Sequence, residues 1–250
     1  MSFADHFSGH ADRYRQHRPT YPAELFEFLA AAAPTCQLAW DVGTGSGQAA
    51  LDLARWFAAV IATDASSEQI AHAPCHPKVR FITAPAERSS LAAGSVDLVT
   101  VAQALHWFDR ERFYAEARRV ARPGAILAVW CYQLQQVSAE VDAVVEHFYR
   151  QVVGPYWPPE RQLIEAGYQT IAFPFEELPA PPFQLSASWS LSDVLGYLST
   201  WSAVKRYREA VGSDPLPALG QALRAVWGAA ESRRPVRWPL RLRVGRITPA

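Results

Sequence analysis

The sequence is poor in sulfur, with one methionine and three cysteines in 250 residues. Cys36, Cys75 and Cys131 are odd in number, far apart and outside any CxxC pair, so neither a disulfide framework nor a cysteine zinc site is signalled. Cys75-His76 has no second pair at ligand spacing, and no metal is expected. Net charge is missing as well, because 24 Lys and Arg balance 24 Asp and Glu. That argues against broad attraction to phosphate backbones or acidic membranes. No apolar run reaches the roughly 18 residues of an ordinary membrane-spanning helix. The opening MSFADHFSGHADRYR turns polar at once and lacks the apolar stretch of a secretory leader. The expectation is a soluble cytoplasmic protein with no membrane partner and with nucleic acid an unlikely one; the oligomeric state is not legible.

What the chain has is apolar surface, at 50% hydrophobic residues, arranged in a rhythm. Short apolar runs at 38–42, 60–63, 79–83, 96–101 and 125–130 read as strands. Between them, 49–58, 66–73 and 110–120 have helical spacing, and a further helix at 23–33 precedes the first strand. Strands alternating with helices give an α/β fold: a doubly wound, Rossmann-like, mostly parallel sheet with helices on both faces. After Cys131 the rhythm changes. Residues 137–153 read as one long helix, 155–182 are proline-rich with helical potential only near 159–166, and 189–201 and 215–230 look helical. The run at 171–183 alternates but carries too many prolines for a central strand. Strict alternation at 236–247 marks a strand returning to the sheet. The expected organisation is an N-terminal arm plus cofactor-binding core at 1–131, a helical cap or acceptor-binding insertion at 132–235, and a final strand and tail at 236–250. Six of the nine tryptophans lie at or beyond Trp130, as cap core or as an aromatic-lined pocket.

The most informative local feature is DVGTGSG at 41–47, where the first strand meets a helix. Glycines at 43, 45 and 47 permit a tight turn and close approach of backbone N–H groups to a ligand. Asp64 follows at the end of the next strand, where a carboxylate can accept from two ribose hydroxyls. No GK[ST] follows the turn, so a P-loop is not indicated. The spacing also differs from GxGxxG, and Asp41 stands two residues before the first glycine. A pyrophosphate would not favour a carboxylate so near; a ligand carrying a sugar and an ammonium would tolerate one.

DVGTGSGQAALDLA, IATDASSEQIAHA and FITAPAERSSLAAGSVDLVTVAQALHWFD together resemble the motifs of class I S-adenosylmethionine-dependent methyltransferases. The likeness is to the small-molecule branch called methyltransferase type 11, which includes trans-aconitate methyltransferase. It takes in FSGHADRYRQHRPTYP as well and covers about residues 3–130, the cap only loosely. The resemblance implies that Asp41, Gly43, Gly45 and Gly47 surround the methionine part of S-adenosyl-L-methionine, that Asp64 binds the ribose and that Ala65 packs by the adenine. Ala86 and Glu87 would meet the adenine, although the Leu-Pro that often follows in the family is Arg-Ser-Ser-Leu here. Gln103 and Ala104 would lie beside the methionine and sulfonium, with His106 next to them. Tyr14, Arg18, Tyr21 and Trp107 match acceptor-side positions.

Methyl transfer from a sulfonium is an in-line displacement that depends on alignment. A carboxylate acceptor is already ionised at neutral pH, whereas a hydroxyl usually requires a base. His106 is the candidate catalytic group, as base, as hydrogen-bonded scaffold or as acceptor-binding donor. The expected activity is methylation of a small organic metabolite at a carboxylate or hydroxyl oxygen, phenols and quinones included. A cofactor-binding regulator or scaffold without turnover, and a methyltransferase acting on RNA or protein, are the alternatives.

Overall fold

In the computed structural model, residues 19–248 are described. The core is an eight-stranded sheet of β1 (Leu38–Val42), β2 (Ala59–Asp64), β3 (Val79–Thr83), β4 (Val96–Ala102), β5 (Ala121–Tyr132), β6 (Glu176–Leu178), β7 (Gln184–Trp189) and β8 (Arg234–Arg246). The order is β3-β2-β1-β4-β5-β8-β6, with β1 to β5 parallel and β8 antiparallel to β5. The expected Rossmann-like sheet and returning last strand are both present. Between them run α1 (Ala23–Ala32), α2 (Gln48–Leu53), α3 (Ser67–Ala71), α4 (Arg110–Val120), α5 (Ala139–His147), α6 (Arg161–Glu165), α7 (Leu191–Ser199), α8 (Ser202–Val211) and α9 (Leu216–Trp227).

β5 shows why a central strand of such a sheet reads as an unbroken apolar run. Ile126, Ala128, Trp130 and Tyr132 point into the layer formed by α1, α2 and the cap. Ala125, Leu127, Val129 and Cys131 point into the layer of α4, against Phe113, Ala117 and Val120. Both faces are covered, so the period-two signal disappears. Asp97 ties the sheet at its other end. Its buried carboxylate accepts from the N–H groups of Gln37 and Leu38 and the hydroxyl of Thr35, and pairs with Arg122 at 3.0 Å.

The segment after β5 differs from its expected form in three places. The helix expected at 137–153 is α5 followed by a π-turn at Phe148–Val152. Trp189 ends β7 instead of opening a helix, because Ser190 caps α7 through a capping box with Asp193. The cap is also less purely helical than expected: β7 pairs with the first half of β8, and β6, short and at the sheet edge, pairs with the second half. The apolar residues of this segment, including Val145, Phe148, Trp201 and Trp238, share one core with α1 and Trp130.

Candidate active site

In an open α/β sheet, ligands bind beyond the carboxyl ends of the strands, where the chain changes direction across the sheet. Here that point lies between β1 and β4. Asp41, near the end of β1, is fully buried. It accepts from Thr44 Oγ1 at 2.5 Å and from Thr100 Oγ1 at 2.7 Å. Burial pushes its carboxyl up to about 6 against those hydroxyls, which pull the other way. Asp41 therefore binds the turn to β4, and both its oxygens are already engaged within the protein.

The turn has Gly43, Gly45 and Gly47 all at positive φ (66°, 57° and 90°). A Cβ on Gly43 would lie 2.6 Å from Ala104 Cβ, so glycine there lets the turn and the loop after β4 touch. Among the described residues, a Cβ on Gly45 would come no closer than 3.8 Å to another atom, Gln69 Oε1. Asp64, at the end of β2, accepts from Gly45 N–H at 2.8 Å and Ser66 N–H at 2.9 Å. It thus orients the glycine turn at the carboxyl edge of the sheet. Ala65 beside it is exposed. Ala86 is buried, and Glu87 accepts from Asp109 N–H at 2.9 Å at the start of α4.

Gln103 has φ 58°, a left-handed conformation rare for a residue with a side chain. Two hydrogen bonds hold it there: its N–H donates to Trp130 O, and its Oε1 accepts from Tyr132 N–H. His106 follows in a 3-10 turn and is buried. Its Nδ1 lies 2.8 Å from Tyr168 Oη. Burial, reinforced by the positive charge of Arg161, lowers its pKa to about 3, so the ring is neutral above that pH. Tyr168 is itself buried and at φ 60°, and Arg243 fixes its turn by donating to Tyr168 O at 2.9 Å and Ile171 O at 2.7 Å.

Gln103, His106 and Trp107 line a cavity of about 80 Å³, closed from the cap side by Trp157, Arg161 and Trp201. Tyr21 is packed edge-on against Trp130, at 5.5 Å between ring centres. Tyr14 and Arg18 lie outside the described residues. The sequence reading missed Arg161 and Tyr168. Of the two cap tryptophans at the cavity, Trp201 is nearly buried in the core while Trp157 is half-exposed, so core and pocket roles coincide there.

A methyltransferase-domain family model matches residues 40–129, the stretch from β1 through most of β5. A protein of Dictyostelium discoideum named as a methyltransferase is 37% identical over 225 residues, covering 88% of this chain and 86% of its own. The chain is a class I S-adenosylmethionine-dependent methyltransferase. A solved structure from Anaeromyxobacter dehalogenans, described as a type II methyltransferase, is similar to it at 49% identity and a TM-score of 0.88, over 93% of this chain and 99% of the other. A yeast protein, CRG1 of Saccharomyces cerevisiae, named as an S-adenosylmethionine-dependent methyltransferase, is 34% identical over 128 residues, 48% of this chain and 44% of its own. The methyltransferase's cofactor is S-adenosylmethionine, and the glycine turn held by the Asp64 carboxylate fits a ligand carrying a ribose. Among the described residues, no helix is long and apolar enough to cross a membrane.

Proposed function

We propose that this methyltransferase forms methyl esters, acting on the carboxylate of a small organic metabolite. The observation that carries this is the contact between Tyr168 and His106. In this reading the buried Tyr168 hydroxyl donates, and His106 Nδ1, 2.8 Å away, accepts. That leaves the proton of the neutral ring on Nε2, so His106 presents a donor and not a lone pair. A base with its conjugate acid at about 3 is also badly matched to an alcohol or phenol. Proton transfer from a hydroxyl of pKa near 10 would be uphill by about 10 kcal/mol. A carboxylate needs no base and is well served by a donor.

When bound, S-adenosylmethionine supplies a methyl group that moves from sulfur to an acceptor lone pair, the C–S electron pair staying on sulfur. The chain's own work is alignment. Asp64 and the glycine turn would hold the nucleoside, and Gln103 and Ala104 the amino-acid portion; Ala65, Ala86 and Glu87 would border the adenine. Asp41 would act indirectly, by tying Thr44 of the turn to Thr100 of β4. His106 Nε2–H would hold one carboxylate oxygen while the other attacks, and Trp107, Tyr21, Tyr14 and Arg18 would enclose the acceptor. The segment 132–235 would serve as the acceptor-binding cap on the core of 1–131, with 236–250 closing the sheet. The test is incubation with methyl-labelled cofactor and a panel of acids, alcohols, phenols and amines. Label in the acids supports ester formation; label only in phenols or amines sinks it.

A further inference from the structure

Among the described residues lining the cavity beside His106, Arg161 is the one permanently charged side chain. Its guanidinium lies 4.6 Å from the centre of the Trp157 ring and 5.2 Å from that of Tyr149. Nε is used, donating to Tyr149 Oη at 2.6 Å. Among the described residues, nothing accepts from Nη1 or Nη2, and no carboxylate pairs with this arginine. Glu165, one turn further along α6, instead accepts from Tyr149 Oη at 2.6 Å. A guanidinium steadied by two rings, with its outer fork open, matches the planar geometry of a carboxylate. The surrounding aromatic walls favour a flat molecule.

Size then divides the acceptor in two. The first cavity, about 80 Å³, is smaller than the roughly 150 Å³ known to house a benzene ring. A second cavity of about 340 Å³ shares Gln133, Leu134, Arg161 and Ile164 with it. Arg161 thus stands on the wall common to both, within reach of a head group in the first and a body in the second. Three carboxylates, Asp142, Glu146 and Glu165, line the second cavity against Arg150 and Arg161, so with Arg161 engaged by one carboxylate it is unsuited to a second. Arg150 is moreover paired with Glu146 at 2.9 Å. Val145, Tyr149 and Pro239 supply apolar surface there.

We infer that Arg161 anchors the acceptor's carboxylate and that the acceptor is a monocarboxylic acid whose flat, uncharged body lies in the second cavity. This rests on the ester-forming reading and narrows it, because di- and tricarboxylic acids would bring charge against the acidic wall. The test is calorimetric binding of indole-3-acetate, indole-3-acetamide and tricarballylate, each with and without saturating S-adenosylhomocysteine. The expected result is acid at least tenfold tighter than amide and at least tenfold tighter than tricarballylate. R161Q should erase the preference for acid over amide while S-adenosylhomocysteine affinity stays within twofold; R161K, which keeps charge but loses the fork, should retain part of it. Equal binding of acid and amide, a preference that survives R161Q, tighter binding of tricarballylate, or no binding of the acid would each overturn the inference. Failure of S-adenosylhomocysteine to bind would strike the cofactor site instead, and the comparison without it would still decide the role of Arg161.

Discussion

Tyr168 Oη lies 2.8 Å from His106 Nδ1, across 62 residues of chain and with both side chains buried. In the proposed arrangement the tyrosine donates and so selects one imidazole tautomer, while Arg243 holds the tyrosine's turn by gripping the carbonyls around it. Y168F removes the donor while keeping the ring. Expected are a loss of about 1 kcal/mol from the buried hydrogen bond and an appearance of the second His106 tautomer. Nitrogen NMR of labelled histidine reads the tautomer directly; an unchanged spectrum would show that something else sets it.

Asp64 links the ligand side of the site to its scaffold, because the glycine turn hangs from it by the Gly45 N–H. D64A deletes a charged acceptor of two backbone donors as well as the proposed ribose contact. Charge-assisted bonds of this kind are worth about 1.5–3 kcal/mol each. Titration calorimetry with S-adenosylmethionine should therefore show an affinity loss of roughly 100-fold. A loss below about threefold would remove Asp64 from the cofactor site.

The glycines of the turn are not equivalent. Alanine at 45 meets no atom closer than 3.8 Å among the described residues and would suffer mainly from its left-handed backbone, at about 1–2 kcal/mol. Alanine at 43 suffers the same and also drives a methyl to 2.6 Å from Ala104 Cβ. Urea unfolding should rank G43A well below G45A in stability. Equal midpoints would mean that the loop after β4 yields freely.

Asp41 and His106 oppose each other in their response to pH. The folded chain keeps a proton on Asp41 up to about pH 6, above the carboxyl's ordinary 3.8, so that contribution to stability is present at low pH and lost as pH rises through 6. His106 refuses a proton down to about pH 3, against an ordinary 6.5, so stability is lost as pH falls through that window. D41N removes the first effect and leaves the second. Relative to wild type, D41N should gain stability between pH 4 and pH 7 by up to about 3 kcal/mol. Chemical denaturation at the two pH values checks this, and a constant difference would mean that Asp41 is ionised throughout.

The part of the site that was legible in the sequence is the part built by neighbours in the chain. Asp41, the three glycines and Asp64 fall within one strand–turn–helix–strand unit, so spacing alone brings them to one edge. What Asp41 does there was not legible. Its partner Thr100 is 59 residues away, so the buried link it makes between the turn and β4 does not show in the spacing. Arg161 and Tyr168 were invisible for a related reason. They sit on a five-residue helix and a left-handed turn inside a proline-rich stretch with no periodicity, and that stretch is held by residues far away in the chain, Arg243 of β8 and Tyr114 and Arg118 of α4. The sheet was legible from its apolar runs, while β7 was hidden by its solvent-facing polar residues and by the helix start at Ser190.

The most direct measurement of ester formation is the chemical lability of the product. The protein is incubated with methyl-labelled S-adenosylmethionine and a deproteinised small-molecule extract, and the labelled products are then treated with mild alkali. If His106 presents its Nε2 proton and Arg161 its guanidinium fork to a carboxylate, the product is a methyl ester and the label should leave as volatile methanol. Label that survives alkali, in a methyl ether or a methylamine, would contradict a carboxylate acceptor.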